Sequence, residues 1–242
     1  MKKIGLIILA AVLMCFLGSC VSSGMAALRT QRDPIALVSL VSNREINWKG
    51  EEAVDPDKVG PITKRALRAE PGSSVTSFAE ELIYTAENLF RDTMAGSGII
   101  YLAEKEKVLQ SRAYQEARLS RHQVSRKMAT PAGYRLIDFR DKNFSVSLAE
   151  ETGIQRSLYV EFDFAKAMTS GLGKNGNCQA VLDMTILVLD ARGKTVLNKI
   201  YTLGSRDSIK VSSGVYSENG LMDLLTSAIS DACYEFLDQL GN

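Results

Sequence analysis

The sequence predicts an α/β (α+β) fold: a mixed β-sheet with helices packed on it, ending in a β-meander and a long amphipathic helix. Residues 158–164 alternate apolar and polar side chains, which is typical of a strand with one buried face. Residues 180–188 and 196–201 predict two more strands, joined by a tight turn at 190–193. Residues 221–240 carry apolar side chains at helical spacing, so one stripe of this helix can lie on the sheet.

The N-terminal half predicts alternating strands and helices. Residues 35–41 form a short apolar, partly β-branched run, which is typical of a buried strand. Ser77 and Glu80 have the spacing of a capping box, so we expect a helix to begin there and to end at Gly96 and Gly98. This order of elements favours a sheet covered by helices.

Four shorter elements are expected between the two halves. Residues 99–102 and 134–139 are predicted as strands, and residues 104–117 as a helix. Another helix around 147–152 is expected to end at Gly153, because glycine is common just after the last helical residue.

The chain divides into a signal peptide at 1–19, a lipidated tether at 20–34 and a single α/β domain at 35–242. Within the domain, residues 49–76 hold three prolines and many charges, and predict a long irregular loop. Loops longer than about 15 residues are usually functional or disordered, and both readings stay open here.

An export signal occupies the N-terminus. Two lysines precede an apolar run of 14 residues, which is shorter than the roughly 20 that cross a bilayer. The run ends in Leu17-Gly18-Ser19-Cys20, the pattern of a bacterial lipoprotein signal, so we expect cleavage between Ser19 and Cys20 and lipidation of Cys20. A plain secretory signal cut elsewhere is the alternative. Val21 is not the Asp linked to inner-membrane retention, which favours the outer membrane, facing the periplasm.

Charge and cysteine content restrict the function further. The net charge of +1 falls to −1 when the two signal lysines are removed, which argues against a nucleic-acid partner. Cys15 leaves with the signal and Cys20 is assigned to lipid, so only Cys178 and Cys233 remain. They could pair in an exported protein, but we favour two unpaired, buried thiols.

No motif predicts a catalytic, cofactor or metal site. Residues 171–176 match G-x-G-x-x-G, but they lie between two predicted strands, so we read them as a hairpin loop. His122 is the only histidine, which leaves too few nitrogen and sulfur donors for an ordinary metal site. The acidic pairs at 80–81 and 150–151 diverge on a helix and do not form a paired-acid site. We expect a protein that is not an enzyme.

Two features are candidates for contact with a partner or a membrane. The stretch 118–127 is basic, and if it is helical then Arg118, His122 and Arg126 share one face, with Arg121 beside them. Trp48, the only tryptophan, could anchor a partner at the surface, or it could be a half-buried residue at a strand end.

The element order resembles the small envelope lipoproteins of the CsgG/LpoB type. The segments that carry the resemblance are Ile35–Val41, Phe78–Met94, Gly98–Tyr101 with Glu104, Leu148–Gly153, Leu158–Val160, Ile186–Asp190 with Gly193, and Leu221–Leu240. The sequence Ile154-Gln155-Arg156 after the glycine, and the basic stretch, depart from the family pattern. The resemblance implies an α/β module without catalytic residues, which binds other envelope proteins or assembles into an oligomer.

We therefore expect a lipid-anchored, non-enzymatic envelope lipoprotein that binds or positions another envelope component. The alternative is a lipoprotein that holds a small molecule over the sheet or under the loop at 49–76.

Overall fold

The computed structural model describes residues 24–30, 32–49, 68–69, 75–172, 175–213 and 215–241. The predicted signal peptide, Cys20 and most of the loop at 49–76 lie outside these residues. The strands are β1 (Ala36–Ser42), β2 (Asn47–Trp48), β3 (Arg68–Ala69), β4 (Arg156–Leu172), β5 (Asn175–Asp190), β6 (Thr195–Gly204), β7 (Ile209–Val211) and β8 (Val215–Tyr216). The helices are α1 (24–30), α2 (Val75–Ser97), α3 (Lys105–Leu109), α4 (Arg112–Glu116), α5 (Arg121–Ser125), α6 (Lys142–Thr152) and α7 (Glu218–Gly241).

The main sheet has the strand order β1-β4-β5-β6, with β2 paired to β4 and β7 paired to β5. Strand β1 runs parallel to β4, with Ala36 opposite Ser157, whereas β4, β5 and β6 form the predicted antiparallel meander. A second, two-stranded sheet joins β3 to β8. The fold class is confirmed: a mixed sheet with helices packed on it and a long final helix.

One face of the sheet is packed against α2 and α7. Alternate residues of β4, such as Leu158 and Phe162, are fully buried on this face, and Tyr201 of β6 meets the ring of Phe236 in α7. The apolar stripe of α7 is confirmed. Its buried members are Leu221, Leu224, Leu225, Ala228, Ile229, Ala232, Cys233, Phe236, Leu237 and Leu240.

The opposite face of the sheet is covered at one side only. Tyr159 and Glu161 alternate with the buried residues of β4 and so point to this second face. The ring of Phe139 packs against Tyr159, and Gln123 of α5 contacts Glu161. The segment from α5 to Phe139 therefore lies over the second face near β4.

Several expected elements differ from the structure. Helix α2 begins at Val75, so Ser77 lies inside the helix and the capping-box assignment is wrong, although the end near Gly98 is confirmed. The helix expected at 104–117 is two short helices, because the Ser111 hydroxyl accepts the N–H of Tyr114 and starts a new helix. The strands expected at 99–102 and 134–139 are single bridges, Ile35 to Leu102 and Leu119 to Ile137.

The segment assigned to the tether is partly folded. Residues 24–30 form α1, and its Met25 and Leu28 are buried in the core. A tether reaching residue 34 is therefore too long, because residues 24–30 already belong to the folded body. The local pattern hides this helix, since only two of its residues are large and apolar.

Candidate functional site

A crevice of about 410 Å³ lies over the second face of the sheet, and we refer to it as the basic crevice. Its lining residues are Arg118, Leu119, Ser120, Arg121, His122, Gln123, Asp138, Phe139, Arg140 and Glu161. Three parts of the chain thus form it: the start of α5 with the residues before it, the turn that precedes α6, and one residue of β4.

Main-chain hydrogen bonds hold the two walls together. Ser120 N–H donates to the carbonyl of Leu136 over 2.7 Å, and Asp138 N–H donates to that of Arg118 over 2.9 Å. The Asp138 carboxylate also accepts the N–H of Arg140 over 3.0 Å, which orders the turn that carries Phe139 and Arg140. The walls are therefore fixed by backbone geometry, and their side chains are presented to one cavity.

The floor of the basic crevice is polar. Gln123 is buried, and its Nε2 donates to Oε2 of Glu161 over 3.4 Å. Its Oε1 is also buried and has no hydrogen-bond partner within the part of the chain that the structure describes. A buried amide oxygen without a partner costs free energy, so an N–H or O–H brought by a ligand would satisfy it.

Two of the cations near the crevice are neutralised by carboxylates. Arg118 lies 2.8 Å from Asp138, and Arg126 lies 3.7 Å from Glu161. Arg121 and Arg140 form no ion pair with any described residue. The Arg140 guanidinium lies 5.5 Å from the centre of the Phe139 ring, within cation–π range.

The sequence-predicted contact residues are only partly brought together. Arg118, Arg121 and His122 line the crevice, and Arg126 borders it through Glu161. The shared helical face is wrong, because α5 spans only Arg121–Ser125 and Arg118 precedes it in an extended segment.

Trp48 lies elsewhere, and its burial agrees with the second expected role, a residue packed at a strand end, and not with a surface anchor. Its side chain is 8% exposed, and its ring makes an edge contact with Tyr216. The Lys166 ammonium lies 5.2 Å from the Trp48 ring and 5.4 Å from the Tyr216 ring. Pairing of β2 with β4 buries the indole, so Trp48 stabilises the body and cannot project to a partner.

A second cavity of about 290 Å³ lies beside this aromatic group. Its lining residues are Arg44, Glu45, Ile46, Asn47, Phe78, Lys166, Tyr216, Glu218 and Leu221. Lys166 is buried and donates a hydrogen bond to the carbonyl of Ile46. Burial raises the pKa of the Tyr216 phenol to about 12, so its hydroxyl is neutral at physiological pH.

Sequence reasoning missed Phe139, Arg140, Gln123 and Glu161. Phe139 falls at the end of the strand predicted over 134–139, Arg140 follows it outside any predicted element, and Glu161 is one polar residue of an alternating strand. Nothing local indicates that these segments meet, because the contact joins residues far apart in the chain. The alternating pattern of β4 does place Glu161 on the face of the sheet opposite the core, and this feature of the sequence could have indicated its part in the crevice.

The other predicted groups do not converge on the crevice. Glu80 pairs with Arg44 at 3.8 Å, and Glu151 accepts the N–H groups of Arg112 and Ala113, which lower the pKa of its carboxyl. Cys178 and Cys233 are buried and unpaired, as favoured above. Across the described ranges, no three His, Cys, Asp or Glu side chains form a group suited to a metal ion.

The glycine motif at 171–176 lies on the β4–β5 hairpin, where Gly171 pairs with Gly176 and Leu172 with Asn175. The hairpin assignment is confirmed for these residues. None of the described helices is both long and apolar enough to cross a membrane.

Comparisons with known proteins identify no family for this chain. No family model matches the chain, and no curated protein matches it. Among solved structures, the chain is similar to the LpoB C-terminal domain from Salmonella enterica, with a TM-score of 0.30 and 12% sequence identity. That match covers 76% of this chain and 92% of the other. At so low a TM-score, the function has to be argued from the residues of this chain.

Proposed function

We propose that this protein is a lipid-anchored, non-enzymatic lipoprotein of the bacterial envelope, which binds an acidic segment of another envelope protein in the basic crevice. The sequence Leu17-Gly18-Ser19-Cys20 supports the anchor, with Cys20 carrying the acyl chains. Val21 favours placement in the outer membrane, with the body in the periplasm.

The composition of the crevice carries the binding proposal. Leu119 and Phe139 are 43% and 40% exposed, and they lie beside two guanidinium groups without carboxylate partners in the described structure. Aromatic and arginine side chains supply much of the binding energy in protein interfaces. This surface fits a partner segment that carries carboxylates next to apolar side chains.

Charge assigns separate roles to the four arginines. Arg118 and Arg126 are already held by Asp138 and Glu161, so they shape the walls. Arg121 and Arg140 are left to pair with carboxylates of the partner, and such pairs form charge-assisted, bidentate hydrogen bonds.

Photo-crosslinking in intact cells tests this proposal. A photoreactive benzoylphenylalanine in place of Phe139 should crosslink one defined envelope protein, which mass spectrometry then identifies. The matched control places the same residue at Tyr234, which is 62% exposed on α7, away from the crevice. The double variant Arg121→Glu/Arg140→Glu should abolish the crosslink from position 139, and Cys20→Ser should show whether it needs the anchor.

Equal crosslinking from positions 139 and 234 would contradict the proposed site. So would a crosslink that survives charge reversal of both arginines, because the partner would then not depend on them.

A second candidate function is binding of a small molecule, and the cavity at Lys166 favours it. Phe78 and Leu221 form apolar walls beside the rings of Trp48 and Tyr216, and Arg44, Lys166, Glu45 and Glu218 add charged groups, so the cavity would accept a small aromatic molecule with a polar group. Benzoate is a suitable probe: it should raise the melting temperature of the protein, and Lys166→Met should remove that increase. No stabilisation by benzoate would count against this candidate.

A further inference from the structure

Helix α1 crosses one end of the main sheet and is held there at several points. The Arg156 guanidinium, at the first residue of β4, donates to the carbonyl of Ala27 over 3.1 Å. A Cβ placed on Gly24 would lie 2.2 Å from the carbonyl oxygen of Val196 in β6, so only glycine permits this approach. The place where the described chain begins is therefore fixed beside β6.

The segment between this point and the lipidation site is short. Cys20 and Gly24 are separated by three residues, which span at most about 14 Å even when fully extended. This inference rests on the proposed lipidation of Cys20. With the acyl chains in a bilayer, the end of the sheet under α1 must stay close to the lipid headgroups.

This end of the body carries exposed cations. Arg29 and Arg32 lie in and just after α1, and Arg192 and Lys194 lie in the turn between β5 and β6. A Cβ on Gly193 would lie 3.0 Å from Cα of Lys142, so the exposed start of α6 packs directly against that turn. Lys142, at the start of α6, is the fifth exposed cation. We refer to Arg29, Arg32, Lys142, Arg192 and Lys194 as the basic end.

Two acidic residues near the basic end, Asp190 and Asp33, already interact with groups of the body. Oδ1 of Asp190 accepts the N–H groups of Arg192 and Lys194 over 2.9 and 2.8 Å. Asp33 and Asp190 both lie close enough to Arg156 to favour its charged form. None of the five cations forms an ion pair with another described residue, so their charges face outward.

We propose that the basic end rests on an anionic lipid surface. Basic residues are attracted to such a surface, and the attraction acts only within a Debye length of roughly 10 Å. The short segment after Cys20 brings the cations within that range. The lipid anchor and the basic end together orient the body, with the β4–β5 hairpin pointing away from the membrane.

Fluorescence quenching of the acylated protein in vesicles tests this orientation. A fluorophore is attached to Thr195→Cys at the basic end, or to Ser170→Cys near the hairpin, with nitroxide-headgroup lipid as quencher. Vesicles contain either phosphatidylcholine alone or equal parts of phosphatidylcholine and phosphatidylglycerol. We expect strong quenching at position 195 in the anionic vesicles, weaker quenching in the neutral ones, and little quenching at position 170.

The variant Arg192→Glu/Lys194→Glu should weaken the quenching at position 195 in anionic vesicles to the level seen in neutral ones, because the anchor alone then holds this end near the lipid. The control Lys107→Glu/Lys210→Glu changes the net charge equally at exposed lysines elsewhere and should keep the strong quenching. Equal quenching at both label positions, or in both lipid compositions, overturns the proposal, as does insensitivity to the Arg192/Lys194 reversal. Mass spectrometry of Cys20 distinguishes failure of this proposal from failure of the proposed anchor. If Cys20 is acylated and the quenching contradicts the expectation, only the membrane contact of the basic end is overturned. If Cys20 carries no acyl chains, the proposed anchor is overturned as well.

Discussion

The Arg156 guanidinium and the Ala27 carbonyl form a hydrogen bond of 3.1 Å that ties α1 to the first residue of β4. Burial lowers the pKa of this guanidinium, while Asp33 and Asp190 counteract the effect, so Arg156 remains charged. The bond joins two segments that are far apart in the sequence and fixes the N-terminal helix across the end of the sheet.

Removing this side chain should release α1. Arg156→Ala deletes a charge-assisted hydrogen bond, which is typically worth about 1.5–3 kcal/mol. We expect faster hydrogen exchange at the amides of residues 24–30, measured by mass spectrometry. Arg192→Ala is the control, since its guanidinium makes no described contact with α1, and the same acceleration in that variant would contradict the assignment.

Gly24 should not tolerate a side chain. In Gly24→Ala the new methyl group would lie 2.2 Å from the Val196 carbonyl oxygen, so α1 must shift away from β6 and the melting temperature should fall. Gly96→Ala is the control. Gly96 lies in α2, and a Cβ added there would meet no neighbouring atom within 4 Å. That substitution should stabilise the protein by up to about 1 kcal/mol, the helix preference of alanine over glycine. A melting temperature unchanged in Gly24→Ala would argue against the close approach.

Glu87 should be essential for stability. It is 3% exposed, and its Oε1 accepts hydrogen bonds from Arg91 over 3.1 Å and from Lys105 over 2.6 Å. Glu87→Gln leaves these cations without their counter-charge, so we expect a loss of about 3–5 kcal/mol in the free energy of unfolding, measured with urea.

The exposed pair Arg112–Glu116 provides the control for Glu87. Its side chains are 82% and 64% exposed, so Glu116→Gln should leave the free energy of unfolding nearly unchanged. Equal losses in the two variants would mean that Glu87 is not the centre of a buried network.

The two thiols should be unreactive in the folded protein. Burial raises the pKa of Cys178 to about 11 and that of Cys233 to about 12, so neither forms appreciable thiolate near neutral pH. A maleimide reagent should label neither residue until urea unfolds the chain, as peptide mass spectrometry can establish. Rapid labelling of Cys233 in the native protein would contradict its burial.

Stability should fall in alkaline solution. Burial raises the pKa of Tyr114 to about 12, against about 10 in an unfolded chain, so the native state favours the neutral phenol. The contribution is complete below about pH 10 and is lost as the pH rises towards about 12, because only the unfolded chain then ionises freely. Urea unfolding across this range should show the decline, and Tyr114→Phe should make it less steep. An equal slope in the variant would rule out Tyr114 as a contributor.

The C-terminal half could be predicted because its patterns are local. Period-two alternation in β4 and β5 and the helical spacing of α7 each act within one element, and the turn at 190–193 joins neighbouring strands. The prediction of these elements needs no knowledge of distant contacts.

The N-terminal half and the candidate site depend on contacts that the sequence does not display. Ser111 is the N-cap of a new helix inside the stretch 104–117, so the apolar pattern there does not continue as one helix. Arg118 and Arg121 stood out by charge, but Arg140 and Glu161 join them only through the parallel pairing and packing of distant segments. Arg126 does lie beside the crevice, but it does so through its ion pair with Glu161 and not through a helical face shared with Arg118 and His122.

Strand β1 makes the body indivisible. It lies parallel to β4, although a long stretch of chain, with five helices among its described residues, separates the two strands. A fragment that began at α6 would retain the meander and α7, but the edge of β4 would lose its partner and expose unpaired N–H and C=O groups. Bare strand edges recruit other chains, so β1 covers an edge of β4 that would otherwise be open to aggregation.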